Sequence, residues 1–193
     1  YVVTVQASDG LGGTASQTLN VTVTNVNESP AITSAASVNA PENQTAVTTV
    51  TATDPDAGAA VTFSLTGGAD QAKFAITTGG VLSFLTAPNF EGPTDANLDG
   101  VYVVTVQASD GLGGTASQTL NVTVTNVNEN PAITSAAAVN APENQTAVTT
   151  VTATDPDAGA AVTFSLTGGA DLTKFAITTG GVLSFLTAPN FEG

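Results

Sequence analysis

Cysteine, methionine, tryptophan, histidine and arginine are all missing from this 193-residue chain, and its only cations are Lys73 and Lys174. Without cysteine there is neither a disulfide framework nor thiol chemistry, so anything that stiffens the molecule must be of another kind. Histidine, the commonest general base, is absent, as are a Cys nucleophile and an Arg clamp, while Lys73 lies apart from the acidic clusters. Paired carboxylates could in principle hydrolyse glycosides, but here they sit in turns with no aromatic platform nearby. The inventory reads as that of a protein that is not an enzyme. No apolar run approaches membrane-spanning length and no signal peptide is visible. The chain opens inside an expected strand, and it reads as an internal window on something longer.

Positive charge is the other scarcity. Sixteen acidic residues against two cations give a net charge of −14. Such a chain repels nucleic acid and anionic lipid, which excludes nucleic acid and direct membrane insertion as partners. Charged residues are nonetheless only 9% of the total, so Thr, Ser, Asn and Gln supply most of the polar surface, and an apolar share of 41% is enough to bury a β-core.

What the chain has in abundance is itself. Tyr1-Val2-Val3-Thr4-Val5 recurs as Tyr102-Val103-Val104-Thr105-Val106, and the 101-residue offset holds to the C-terminus with changes only at Ser29/Asn130, Ser37/Ala138, Gln71/Leu172 and Ala72/Thr173. That period is too long for a solenoid and matches one small domain. The expected division is residues 1–28 as the C-terminal hairpin of a preceding repeat, 29–128 as a complete repeat, and 129–193 as the N-terminal part of the next.

Within the repeat, apolar residues alternate with period two. Tyr1, Val3, Val5 and Ala7 share one face, and Leu19, Val21 and Val23 share another, across an Asp9-Gly10-Leu11-Gly12-Gly13 turn. An irregular edge segment is expected over Ala31–Ala40, a strand over Ala46–Thr53, and a strand with Val61, Phe63 and Leu65 inward. A tight hairpin is expected from Phe74-Ala75-Ile76 to Val81-Leu82-Ser83-Phe84. Short strands separated by turn signals, with no helical periodicity, predict an all-β protein of tandem seven-stranded antiparallel Greek-key β-sandwiches.

Twelve of the sixteen acids fall in turns or linkers beside expected strand ends: Asp9, Glu28, Glu42, Asp54, Asp56, Glu91, Asp110, Glu129, Glu143, Asp155, Asp157 and Glu192. Carboxylates gathered without basic partners call for a cation. Oxygen donors without His or Cys point to calcium rather than zinc, and magnesium would hold its own waters too firmly. Taken singly, Asp54-Pro55-Asp56-Ala57-Gly58 reads more readily as a turn, and Pro41-Glu42-Asn43 merely opens a strand. Asp95-Ala96-Asn97-Leu98-Asp99-Gly100 begins like a calcium loop but has Val106 where a bidentate Glu belongs, which leaves a weak extra site or a solvated turn.

In order along the chain, Pro41-Glu42-Asn43, Ala52 to Gly58, Phe74-Ala75-Ile76 with Gly80-Val81-Leu82, Asn89-Phe90-Glu91, Tyr102 to Asp110-Gly111, and Asn126-Val127-Asn128-Glu129-Asn130-Pro131 resemble the cadherin repeat. That resemblance implies Ca2+ held between successive domains. At the second junction it implies ligands from Glu42 and Glu91, from Asn126, Asn128, Glu129 and Asn130 in the linker, and from Asp155 and Asp157 beyond it. At the first it implies Asn25, Asn27, Glu28, Asp54, Asp56 and Asp110. The chain departs from the family pattern at Asn25, Asn126 and Asn89, where Asp is usual, and in a linker one residue short, which implies fewer or weaker ions.

Near-identical repeats and extreme acidity resemble the cadherin-like arrays of large bacterial surface adhesins. The implied role is an extracellular, cell-surface stalk segment whose partners are neighbouring repeats of the same chain. Two alternatives stand beside it: a self-assembling filament of identical chains completed by donor-strand exchange, and a glycan- or ice-binding module built on Thr-rich faces such as Thr22 to Thr24.

Overall fold

Period-two alternation sets the strands. The computed structural model describes Tyr1 to Glu192, and the chain opens with a hairpin of β1 (Val2–Ser8) and β2 (Thr14–Asn20). A central sandwich follows, built of β3 (Ala31–Ile32), β4 (Ser37–Pro41), β5 (Ala46–Thr49), β6 (Ala52–Thr53), β7 (Thr62–Gly67), β8 (Phe74–Ile76), β9 (Val81–Phe84), β10 (Val101–Ser109) and β11 (Thr115–Thr125). Then β12 (Ala132–Ile133), β13 (Ala147–Thr150), β14 (Ala153–Thr154), β15 (Phe175–Ile177) and β16 (Val182–Phe185) repeat part of that order.

One sheet of the sandwich runs β4-β11-β10-β7; the other is β5-β9-β8, with β3 paired to β6. Counting β3 with β4, and β5 with β6, as two interrupted strands gives the seven expected. Three expectations change. Ala31–Ala40 is an edge segment irregular only over 33–36: the chain leaves β3 in one sheet and enters β4 at the edge of the other, where β4 runs parallel to β11 from Ser37↔Asn121 to Pro41↔Thr125. A sandwich expected to be wholly antiparallel thus has one parallel edge. The strand over Ala46–Thr53 is broken at Val50, whose side chain is buried and whose N–H turns to the Gly80 carbonyl at 2.8 Å.

The core follows the sequence pattern. Tyr102, Val104, Val106 and Ala108 of β10 and Leu120, Val122 and Val124 of β11 are buried, with Val103, Thr105 and Gln107 and with Thr119, Asn121 and Thr123 on the outer face. Phe74 stacks on Phe84 at 4.6 Å between ring centroids, and Tyr102 meets Phe84 edge-on at 5.1 Å. Such pairing adds to simple area burial. The Tyr102 hydroxyl accepts the Thr94 N–H at 3.1 Å, so its polar end is not stranded in the core.

Identical sequence does not give identical structure everywhere. Thr62–Gly67 forms β7 because β10 pairs with it, whereas the same six residues over 163–168 form no strand. Asp70 shows the same dependence. It is buried, and its carboxylate accepts the N–H groups of Ala96 at 2.7 Å and Val103 at 2.8 Å, fastening the turn after β7 to β10. Its counterpart Asp171 is exposed and instead pairs with Lys174 at 2.9 Å. Denaturant unfolding should therefore find Asp70→Ala destabilising by about 2–3 kcal/mol, because two N–H groups lose a charged acceptor. Asp171→Ala should stay within about 0.5 kcal/mol, as expected for an exposed ion pair.

Candidate metal centre

The carboxylates collect at the two ends of the central sandwich, where strands stop and linkers begin. At the end reached by β11, Glu42 follows β4 and turns inward. It is 2% exposed, and its two oxygens accept the N–H groups of Phe90 and of Val127 in the linker, each at 2.8 Å. That pair of bonds closes the linker onto the sandwich. Oxygens of Glu42, Glu91 and Glu129 lie within 4.8 Å of one another. The Glu129 N–H donates to Asp157 Oδ2 at 2.8 Å, and the Asp157 N–H donates to Asp155 Oδ1 at 2.9 Å, so the downstream acidic turn is tied to the same linker.

Three carboxylate oxygens of this cluster are buried without a hydrogen-bond partner: Oε1 and Oε2 of Glu91 and Oε2 of Glu129. Buried oxygens of this kind are costly unless something neutralises them. Burial pushes the Glu91 carboxyl above its ordinary value, and the charges of Glu42, Glu129 and Asp157 push it further. An anionic cluster with unused lone pairs and no cation within reach has the donor chemistry of a calcium site.

The end that receives the first linker repeats the arrangement. The Glu28 N–H donates to Asp56 Oδ2 at 2.8 Å and the Asp56 N–H to Asp54 Oδ1 at 2.8 Å, leaving Asp54 Oδ2 buried and unpartnered. The Asn25 amide donates to Asp56 at 2.6 Å and the Asn27 amide to Asp110 at 2.7 Å. The Asp56 carboxylate beside it pushes Glu28 up, whereas the Glu28 N–H and the Asn25 amide hold Asp56 down. Asp110 is likewise held down by the Asn27 amide and the Leu112 N–H. Gly114 is required at this pole: a Cβ there would lie 2.2 Å from Asp110 Oδ2 and 2.9 Å from the Glu28 carbonyl.

All six first-junction residues thus belong to one hydrogen-bonded group. At the second junction Glu42, Glu91, Glu129, Asp155 and Asp157 converge, and the Asn128 amide donates to the Glu129 carbonyl at 3.0 Å. Among the described residues, no side-chain hydrogen bond ties Asn126 or Asn130 to that group. Asn43, between Glu42 and the next strand, joins the group unforeseen: it adopts a left-handed φ of 62° and its amide donates to Glu129 Oε1. Asn tolerates that conformation better than most residues, and this was the available signal.

The loop over 95–100 is a turn exposed over 96–99 and closed from within by Asp95. Asp95 is buried, and its carboxylate accepts the N–H groups of Asp99 and Gly100, both at 3.0 Å. Burial pushes its carboxyl up, but those N–H groups together outweigh burial and hold it below the ordinary 3.8. A carboxyl lowered in the folded state contributes stability above its unfolded value, and that contribution is lost as pH falls through the folded value. Acid unfolding of Asp95→Asn should therefore depend less on pH below about pH 4 than that of the parent chain.

A Greek-key sandwich with one parallel edge, carrying acidic clusters where its linkers enter and leave, is a cadherin-like β-sandwich repeat. The chain belongs to the Bacterial Ig domain family, whose sequence profile matches residues 27–123. It is 37% identical over 158 residues to the Cadherin EGF LAG seven-pass G-type receptor 2 of Homo sapiens, a match covering 76% of this chain and 5% of that protein. The chain therefore spans a small fraction of the curated relatives it matches. Among solved structures, the protocadherin gammaB7 EC3-6 cis-dimer aligns with 100% of this chain and 53% of its own at 24% identity and a TM-score of 0.59. Human Protocadherin-24 EC1-2 aligns with 85% of this chain and 81% of its own at 22% identity and a TM-score of 0.57. At those identities the likeness is one of fold. Among the described residues no helix is long and apolar enough to cross a membrane.

Proposed function

We propose that this chain is a stalk segment of an extracellular surface adhesin, in which Ca2+ bound at the junctions restrains hinge motion between repeats. The observation that carries the reading is the convergence of Glu42, Glu91 and Glu129, with three buried oxygens unpartnered, at the point where linker and sandwich meet. The repeats divide as 1–28, 29–128 and 129–193.

At the second junction Glu42, Glu91, Glu129, Asp155 and Asp157 would hold the ion, with Asn126, Asn128 and Asn130 completing the oxygen set. At the first, Asp54, Asp56, Asp110, Glu28, Asn25 and Asn27 would do so. Bound calcium supplies positive charge and a many-sided oxygen bridge between groups that otherwise repel one another. The chain's own residues do the rest. Glu42 fixes the linker through Val127, and Glu129 fixes the acidic turn of the next repeat through Asp157. The Asn25 and Asn27 amides now donate to carboxylates; turned over, each would present its oxygen to the same place.

The role is mechanical rather than catalytic, and neighbouring repeats are the partners. Affinities of roughly 10⁻⁴ to 10⁻³ M suit an extracellular ion reservoir. Small-angle scattering of two or more consecutive repeats, with calcium and then with excess chelator, tests the reading. A rod that becomes flexible on chelation supports it, and a profile indifferent to calcium overturns it.

A further inference from the structure

We infer that the loop over 92–100 of one copy of this chain seats Leu98 in a cavity beside the same loop of a second copy, and receives that copy's Leu98 in return. Knob and hole both lie within residues 72–102 of the central sandwich, far from either end of the chain. The pairing does not depend on calcium.

Leu98 strains the fold without serving its core. Its backbone is left-handed at a φ of 62°, a region that suits Gly or Asn and that a bulky side chain rarely adopts. The side chain is nonetheless 67% exposed. The turn beneath it is stiff, because the buried Asp95 carboxylate accepts the N–H groups of Asp99 and Gly100 at 3.0 Å and the Asp95 carbonyl accepts the Leu98 N–H at 3.3 Å. A strained residue braced from behind and exposed in front is a preformed contact awaiting its partner.

The hole is a cavity of about 420 Å³ at the end of β9, where Phe84, Leu85, Ala87 and Pro88 give an apolar lining and Lys73 and Thr94 add polar groups. Leu98 does not line it. Thr94 and Leu98 belong to one short loop, so hole and knob lie side by side, as a two-fold axis requires if each copy is to fill the other. Charge selects the occupant. Lys174 is paired with Asp171 at 2.9 Å, but among the described residues no carboxylate lies within ion-pair distance of Lys73. An unpaired cation beside an apolar hole suits an apolar side chain that adjoins a carboxylate, and Asp99, exposed, adjoins Leu98. Two chains of net charge −14 repel over most of their surfaces, but here opposite charges meet. The paired plugs make a small contact of the weak, transient kind.

The chain has no cysteine, so engineered thiols report cleanly. A Leu98→Cys chain mixed with an Ala87→Cys chain and mildly oxidised should yield the disulfide-linked peptide joining positions 98 and 87. Its yield should exceed by at least about tenfold that of the peptide joining positions 98 and 119 when Leu98→Cys is mixed with Thr119→Cys, a thiol exposed on the outer face of β11. Charge reversal gives the second arm. In sedimentation equilibrium of chains without thiols, Lys73→Glu alone and Asp99→Lys alone should each weaken self-association by at least about tenfold, because like charges then face each other at both plugs. An equimolar mixture of the two variants should regain the parental association, since every hole then meets a loop of opposite charge. A 98–87 yield no greater than the Thr119→Cys control, or a mixture that associates no better than either variant alone, overturns the inference.

Discussion

Replacing Glu91 by glutamine is expected to have opposite effects with and without calcium. Its carboxyl is raised by burial and by the charges of Glu42, Glu129 and Asp157. A carboxyl raised in the folded state contributes stability that is fully present below its unfolded value and lost as pH rises through the folded value. In chelator at pH 7 the charged form is the unfavourable one, so Glu91→Gln should melt at a higher temperature than the parent chain. In calcium the order should reverse. Under the proposed calcium role the variant lacks a charge that the ion would meet, and its calcium affinity should fall by at least the roughly 10–100-fold seen when mere supporting groups of a metal site are lost. Calcium titration by calorimetry, paired with thermal melts in calcium and in chelator, reads both arms. A variant that is less stable in both conditions, with unchanged affinity, would mean that Glu91 is only a packing residue. Calcium binding to the parent chain should also release protons, increasingly so as pH falls toward the raised Glu91 value.

The largest loss of stability is expected from truncating Phe84. Its ring sits between Phe74 and Tyr102, is 3% exposed, and lies where β9 faces β10 across the core. Phe84→Ala should cost about 3–5 kcal/mol, from lost transfer energy and the cavity left behind. For a sandwich of this size that corresponds to a melting point lower by at least about 12 °C, at 4–8 °C per kcal/mol. Phe185→Ala removes the same side chain from the same sequence, but from a site that is only half-buried. Its cost should be clearly smaller. Equal costs would mean that the two sites are equally well packed in solution.

Where the sequence was legible, the reason is periodicity. The Tyr102, Val104, Val106, Ala108 face could be read because each inward residue is apolar and, of the three residues between them, only Val103 is, and the structure buries all four. The Phe74–Phe84 hairpin was legible because Thr77 to Gly80 is strong turn chemistry between two apolar runs. The parallel pairing of β4 was not legible. Ser37 to Pro41 carries only Val38 and Ala40 as inward residues, and its partner lies more than eighty residues away, beyond the reach of any local pattern. The acidic residues could be named from their order along the chain, but the direction each oxygen faces could not. Glu42 spends both oxygens on backbone N–H groups, whereas Glu91 spends neither. Asp70 and Asp171 mark the limit most plainly. Each follows Gly-Gly-Ala, yet one is a buried fastener and the other an exposed acid, because burial is decided by a strand thirty residues further on.

The parallel edge between β4 and β11 also bears on how tension passes along the molecule. Five residues near the start of the sandwich lie beside five at its end, and both strands point the same way. A pull that draws the incoming and outgoing linkers apart slides these strands past each other lengthwise. Their hydrogen bonds are then strained together rather than peeled open one after another. Val127, anchored on Glu42 just beyond this pairing, adds a further bond at the exit. A chain of such units would answer a steady pull by holding its length until the whole edge gives way at once.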